Sequence, residues 1–158
     1  MKKSINFLLI WLFYISQQAH SQGLDELSSG TRDLLRSEMF AISKGMNELF
    51  SAYYSGDFEE VSRIAKNIEN TFILKNKITK EQRHEIHTKL PKAFLQKDKT
   101  FHYNAGMLAH AAKNGKAELV GFYYSELANG CIGCHSVYAN KRFRHLDRTN
   151  NTFEEHDH

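Results

Sequence analysis

The clearest order in the chain is a set of apolar positions, Leu35, Met39, Ile42, Met46, Leu49 and Tyr53, spaced 4, 3, 4, 3 and 4 residues apart. That spacing keeps one face of a helix apolar and predicts a first helix over about 24–54. Ser55-Gly56 is its stop, because glycine tolerates the left-handed conformation that closes a helix. Asp57, with Glu60 three residues later, caps a second helix whose core face is Val61, Ile64, Ile68 and Phe72. A basic and polar connection follows over about 73–99, in which Thr79 and Gln82 predict a short helical turn that Pro91 ends. A third helix is expected over about 100–114, with Phe101, Ala105, Leu108 and Ala112 on one face, closed by the Asn114-Gly115 turn. The fourth is expected over about 116–143, through Leu119, Phe122 and Leu127. Four amphipathic helices, with short first and last turns and a longer middle link, predict an all-α fold, an antiparallel four-helix bundle. The small residues Ala105, Gly106, Ala109, Ala111 and Ala112 either let helices approach closely or leave room for a flat cofactor.

The first 21 residues follow a different pattern. Lys2 and Lys3 precede an eleven-residue apolar run, Ile5 to Ile15, and a polar stretch from Ser16 to Ser21 ends in the small-x-small site Ala19-His20-Ser21. This is the layout of a secretory signal peptide over residues 1–21, cleaved before Gln22. The run is short of the roughly 20 residues a membrane span needs, so no stable membrane insertion is expected after cleavage, the other reading being an uncleaved anchor. No cysteine follows the run, which excludes a lipoprotein anchor. Residues 22–146 are then one domain with a single core, and 147–158 a polar tail. Losing two lysines takes the formal charge from +3 to about +1, which does not favour nucleic acid as a partner. His145, His156 and His158 read as solvated surface histidines.

The chemistry is concentrated in Cys131-Ile132-Gly133-Cys134-His135, a C-x-x-C-H that uses both cysteines of the chain. Two thiols at this spacing can add across the two vinyl groups of haem, and the adjoining imidazole can bind the iron. A thioredoxin-type redox pair would need a βαβ context, which the pattern lacks. A structural zinc site would need four ligands, and there is no second cysteine pair. One covalently attached haem c per chain is therefore expected, on Cys131 and Cys134, with His135 as the proximal ligand. In bacteria that attachment takes place outside the cytoplasmic membrane, so the motif and the export signal agree on a periplasmic protein.

With the motif late in the chain, on the last of four helices, the sequence resembles the cytochrome c′ family. The stretch from Leu108 to Lys116 is similar to that family's alanine-rich third helix and its Lys-x-Gly turn, and Tyr138 matches the aromatic three residues after the motif's histidine. Resemblance covers most of residues 30–143 and is weakest over 73–99. One departure is Ala139, which stands where the family often has a basic residue; Lys141 and Arg142 follow closely. From its pattern alone, Met39 is a core residue filling a gap. The resemblance instead places it at the distal axial position of the iron, as in the family's low-spin, methionine-ligated branch. A shifted register would put Leu35 or Phe40 there and leave the iron five-coordinate; Met46, Met107 and His110 are weaker candidates.

Two function classes follow from the resemblance. One is an exported electron-transfer cytochrome with His135/Met39-ligated iron and an unidentified redox protein as partner. The other is a five-coordinate haem protein that binds or senses NO or CO. An enzyme such as a peroxidase would need acid–base groups at the open iron face, and no histidine is placed there by a recognisable spacing, so no catalytic residue is expected. Related bundles often form homodimers through their first two helices; Phe50 and Tyr54 suit such a contact, or the core.

Overall fold

The computed structural model describes residues 23–71 and 78–146. The predicted signal peptide, the core position Phe72 and the polar tail, with His156 and His158, lie outside the described residues. Within them the protein is all-helical, with α1 Ser29–Ser55, α2 Phe58–Asn70, α3 Lys80–Lys89, α4 Lys92–Lys113 and α5 Ala117–Tyr138, followed by a 3-10 turn at Arg144–Leu146. No helix among the described residues is long and apolar enough to cross a membrane.

The first turn forms as its residues dictate. Gly56 adopts φ 73° and ψ 14°, the left-handed cap that a Cβ would disfavour, and its N–H bonds back to the end of α1. The Asp57 carboxylate accepts the Glu60 backbone N–H at 3.0 Å, and the acidic Glu59 and Glu60 occupy the first turn of α2, where the helix dipole favours them. The middle of the chain is more ordered than expected. Thr79 and Gln82 make a full capping box that starts a ten-residue helix rather than a single turn. Pro91 both ends α3 and starts α4, eight residues before the predicted start. Leu90, preceding the proline, is held extended at φ −84° and ψ 142°, while the fixed proline φ suits the entry to the next helix. At the other end α5 stops at Tyr138 rather than Phe143. The Asn140 side chain accepts the Lys141 N–H at 2.8 Å, giving the backbone a local alternative to the helix.

The main core joins Leu49 and Ala52 of α1, Val61, Ile64, Ala65 and Ile68 of α2, five residues of α4 from Ala105 to Ala112, and Val120 and Leu127 of α5. The closely packed helix pairs are α1 with α2, α2 with α4, and α4 with α5. The α2–α4 pair is antiparallel, since the Ser62 hydroxyl donates to the Ala109 carbonyl at 3.0 Å and His102 bonds the Ile68 carbonyl. The small residues of α4 are therefore used for close approach: a Cβ on Gly106 would meet the Glu69 carboxyl carbon at 2.9 Å. A second, smaller core of Leu27, Ile86 and Leu90, with Leu24, Leu35, Ile78, Phe94 and Leu95 against it, closes the end where α3 sits.

The buried line of α1 is Thr31, Glu38, Ile42, Leu49 and Ala52, which is rotated from the predicted stripe. Ile42 and Leu49 are shared by both, but Met39 is 42 % exposed, so it does not fill the core. The cause is that α1 packs closely on α2 alone, through Gly45 against Ile68, and one flank of the apolar stripe is left facing α5.

Glu85 of α3 ties the start of α1 in place. Its carboxylate accepts from the Ser28 backbone N–H and hydroxyl, from the Thr31 hydroxyl and from Lys89. The Thr31 bond, followed by the Ser28 backbone, holds its pKa at about 2, down from the ordinary 4.5. The folded-state value is depressed, so this contribution to stability is complete above pH 4.5 and is lost as pH falls towards 2. Glu85→Gln should therefore flatten the acid limb of stability. Hydrogen exchange should show α3 and the first turn of α1 losing protection while α2 and α4 keep theirs; unchanged protection in α3 would show that the tie is incidental.

Candidate functional site

The motif lies on the inner stripe of the last helix. Val120, Leu127, Cys131, Cys134 and Tyr138 are spaced 7, 4, 3 and 4 residues apart along α5, so both thiols continue the line of the buried residues. This stripe meets the first half of α4 in antiparallel order. Tyr138 packs edge-on against Phe94 with ring centroids 5.1 Å apart. A Cβ on Gly133 would lie 3.8 Å from the Lys97 ammonium, and one on Gly130 would lie 3.1 Å from the Phe101 ring. The two glycines flanking and within the motif thus let α4 come close to the thiols.

Cys131 and Cys134 are half-buried and not joined to each other. Burial pushes both thiols up from their ordinary pKa; for Cys134 the neighbouring Lys97 opposes this. Among the described residues no group of three or more His, Cys, Asp or Glu side chains comes together at one point. His135 is half-buried, and burial followed by the nearby Arg142 charge lowers its pKa. Its imidazole is therefore neutral at pH 7, the state with a lone pair to give to a metal. Of the two basic residues near the departure at Ala139, Arg142 acts on His135, whereas Lys141 points to Asp25 at 3.4 Å.

Met39 is placed by the register between α1 and α5. Tyr53 marks where they touch: its ring stacks on Tyr124 at 5.0 Å, and its hydroxyl lies 3.0 Å from where a Cβ on Gly121 would be. The Lys141–Asp25 pair joins their opposite ends, so the helices are antiparallel. From the Tyr53–Gly121 contact, Met39 lies fourteen residues back along α1 and His135 fourteen residues on along α5. At 1.5 Å per residue each is about 21 Å from that contact, so they come to the same level. Each is also two heptads away, which keeps both on the facing sides within a drift of about 40°. The pair α1–α5 is not among those that pack backbone to backbone. Leu35, by contrast, joins the smaller core, and Phe40 is 76 % exposed. Met46 packs on the main core, and His110 is exposed and bonded to Asn114.

Beside Met39 lies a buried polar cluster that the sequence did not signal. The His102 Nδ1–H donates to the Ile68 carbonyl at 2.9 Å. Its Nε2 faces Glu38 at 3.5 Å and Asp98 at 3.8 Å, with the histidine and Glu38 side chains almost fully buried. His102 is one of nine histidines and falls outside any motif; only the structure brings it to Glu38, sixty-four residues away. The other feature that sequence reasoning missed is Phe143, whose ring lies on His135 once α5 ends early. A groove of about 730 Å³ between α2 and α4, lined by Arg63, Lys66, His110 and Lys113 among others, shares no residue with the motif.

No family model, curated protein or solved structure matches this chain.

The cluster has a pH signature. Burial raises the Asp98 carboxyl from its ordinary 3.8 to about 6, with His102 opposing and Glu38 adding to the rise. Because the folded-state value is raised, Asp98 favours the fold fully below pH 3.8 and this is lost as pH climbs through about 6. Urea unfolding of Asp98→Asn should show a flatter pH profile across that window, by on the order of 1–3 kcal/mol. An identical profile would place the carboxyl in water.

Proposed function

We propose that the protein is an exported c-type cytochrome of the cytochrome c′ kind, one haem covalently held on Cys131 and Cys134, that transfers electrons through iron ligated by His135 and Met39. On this reading α1, α2, α4 and α5 form an antiparallel four-helix bundle, α3 closes the end nearest the motif, and the exported protein works in the periplasm.

The observation that carries the reading is the common level of Met39 and His135 on the facing sides of α1 and α5, a pair of helices that does not pack backbone to backbone. The residues fit the group. Thiols that are protonated and not joined to each other are available to form thioether bonds, and the neutral His135 imidazole offers a nitrogen lone pair. Haem supplies a one-electron couple at its iron. The chain sets the conditions for it. Met39 would offer the iron a soft thioether sulfur, a ligand that favours the ferrous state and raises the potential. Phe94, Phe101 and Tyr138 would wall the α4–α5 side of the group with aromatic surface. The exposure of Met39 supports a role outside the core more than the packing role its spacing suggested.

Met39→Leu tests the ligation. It removes the sulfur while keeping bulk and helix propensity. The parent should be low-spin in both oxidation states and bind carbon monoxide slowly or weakly. The variant should become five-coordinate and bind carbon monoxide readily, with unchanged helix content by circular dichroism. A high-spin parent whose spectrum Met39→Leu leaves unchanged would replace the electron carrier with the gas-binding alternative.

A further inference from the structure

Past the end of α5 the chain folds back so that one ring covers another. The Phe143 and His135 rings are parallel within 4°, with centroids 4.2 Å apart. The backbone holds Phe143 there from both sides: its N–H donates to the Ala139 carbonyl at 3.0 Å, and its carbonyl accepts the Leu146 N–H at 2.9 Å. The Arg142 guanidinium stands over the Phe143 ring, 5.9 Å from its centre, and adds a cation–π contact to the same unit.

We propose that Phe143 is a positioning residue for the His135 imidazole, fixing the rotation of its plane by face-to-face contact. The inference rests on the reading of His135 as the iron ligand and adds what orients it. A metal-bound histidine is ordinarily oriented by a hydrogen bond to its second nitrogen. Here the contact is with the ring face. Both imidazole nitrogens have their lone pair or N–H in the ring plane, so a face contact occupies neither. Phe143 thus restricts the ring without competing with iron at one nitrogen or with water at the other. The helix at His135 limits the first side-chain torsion, and the flat Phe143 surface limits the second. Ala139 has no side chain long enough to do this, so the orienting contact falls to the residue eight positions after His135 instead.

The test uses full-length exported protein, with haem content measured first. The oxidised protein's paramagnetically shifted haem methyl resonances depend on the orientation of the axial imidazole plane, which a covering role alone does not touch. Phe143→Leu keeps an apolar cover but removes the flat face, and it should reorder or compress the spread of the methyl resonances. Phe143→Tyr keeps the ring and should restore the parent pattern. If the leucine variant does not load haem, Phe143→Met serves the same purpose with an unbranched chain. A haem-loaded Phe143→Leu or Phe143→Met protein with the parent's methyl pattern overturns the positioning role while leaving the cytochrome reading intact. A parent protein without haem overturns both.

Discussion

The close approach of α4 to both its neighbours is the constraint on which the rest of the molecule depends. Ala105, Ala109, Ala111 and Ala112 are buried in the main core, and Gly106 has no room for a Cβ beside Glu69. On the other side Gly130 and Gly133 of α5 let Phe101 and Lys97 of α4 come in against the helix that carries the thiols. Small side chains bury little area each, but they allow backbones to approach and larger neighbours such as Ile64, Ile68 and Leu127 to fill the remaining space. With α4 packed on α2 and α5, α1 packs backbone to backbone on α2, touches α4 through Glu38 and His102, and meets α5 mainly around Tyr53. That asymmetry leaves the facing sides of α1 and α5, where Met39 and His135 stand level, outside the close-packed core.

The same region concentrates the unusual electrostatics of the fold. Glu38, next in sequence to Met39, is buried against His102, whose other nitrogen is tied to the Ile68 carbonyl of α2. Asp98 completes the group one turn earlier on α4, where its charge also bears on the Cys134 thiol. Buried charged groups are costly unless partnered, and these three come from two helices and bond a third, so they lock α1, α2 and α4 together beside the proposed haem. The arrangement also gives α1 a fixed rotation. Burying Glu38 leaves Met39, the next residue, 42 % exposed on the neighbouring face of α1.

Much of the fold was legible because its signals are local. Gly56, Asp57 and the Thr79–Gln82 box act within a few residues, and each did what its chemistry requires. The errors came where one residue has two readings. Pro91 ends one helix and begins another, and the apolar pattern marks only the first of these. Asn140 competes with the helix through its side chain, a contest that periodicity does not register. The buried line of α1 is rotated by a few tens of degrees from its apolar stripe, since spacing alone does not reveal that a glutamate will be buried against a histidine far along the chain. For the candidate site, Cys131, Cys134 and His135 announce themselves by their spacing. Met39 came from a resemblance, and its relation to His135 needed the Tyr53–Gly121 contact as a reference point. Phe143 could not be found before the end of α5 was known.

The central claim is that the two thiols of α5 carry a haem. It is tested most directly by intact-mass and peptide mass spectrometry of the exported protein after acid–acetone extraction. The account predicts one added haem per chain that resists extraction and maps to the peptide containing Cys131 and Cys134. A Cys131–Cys134 disulfide with no added mass would contradict it.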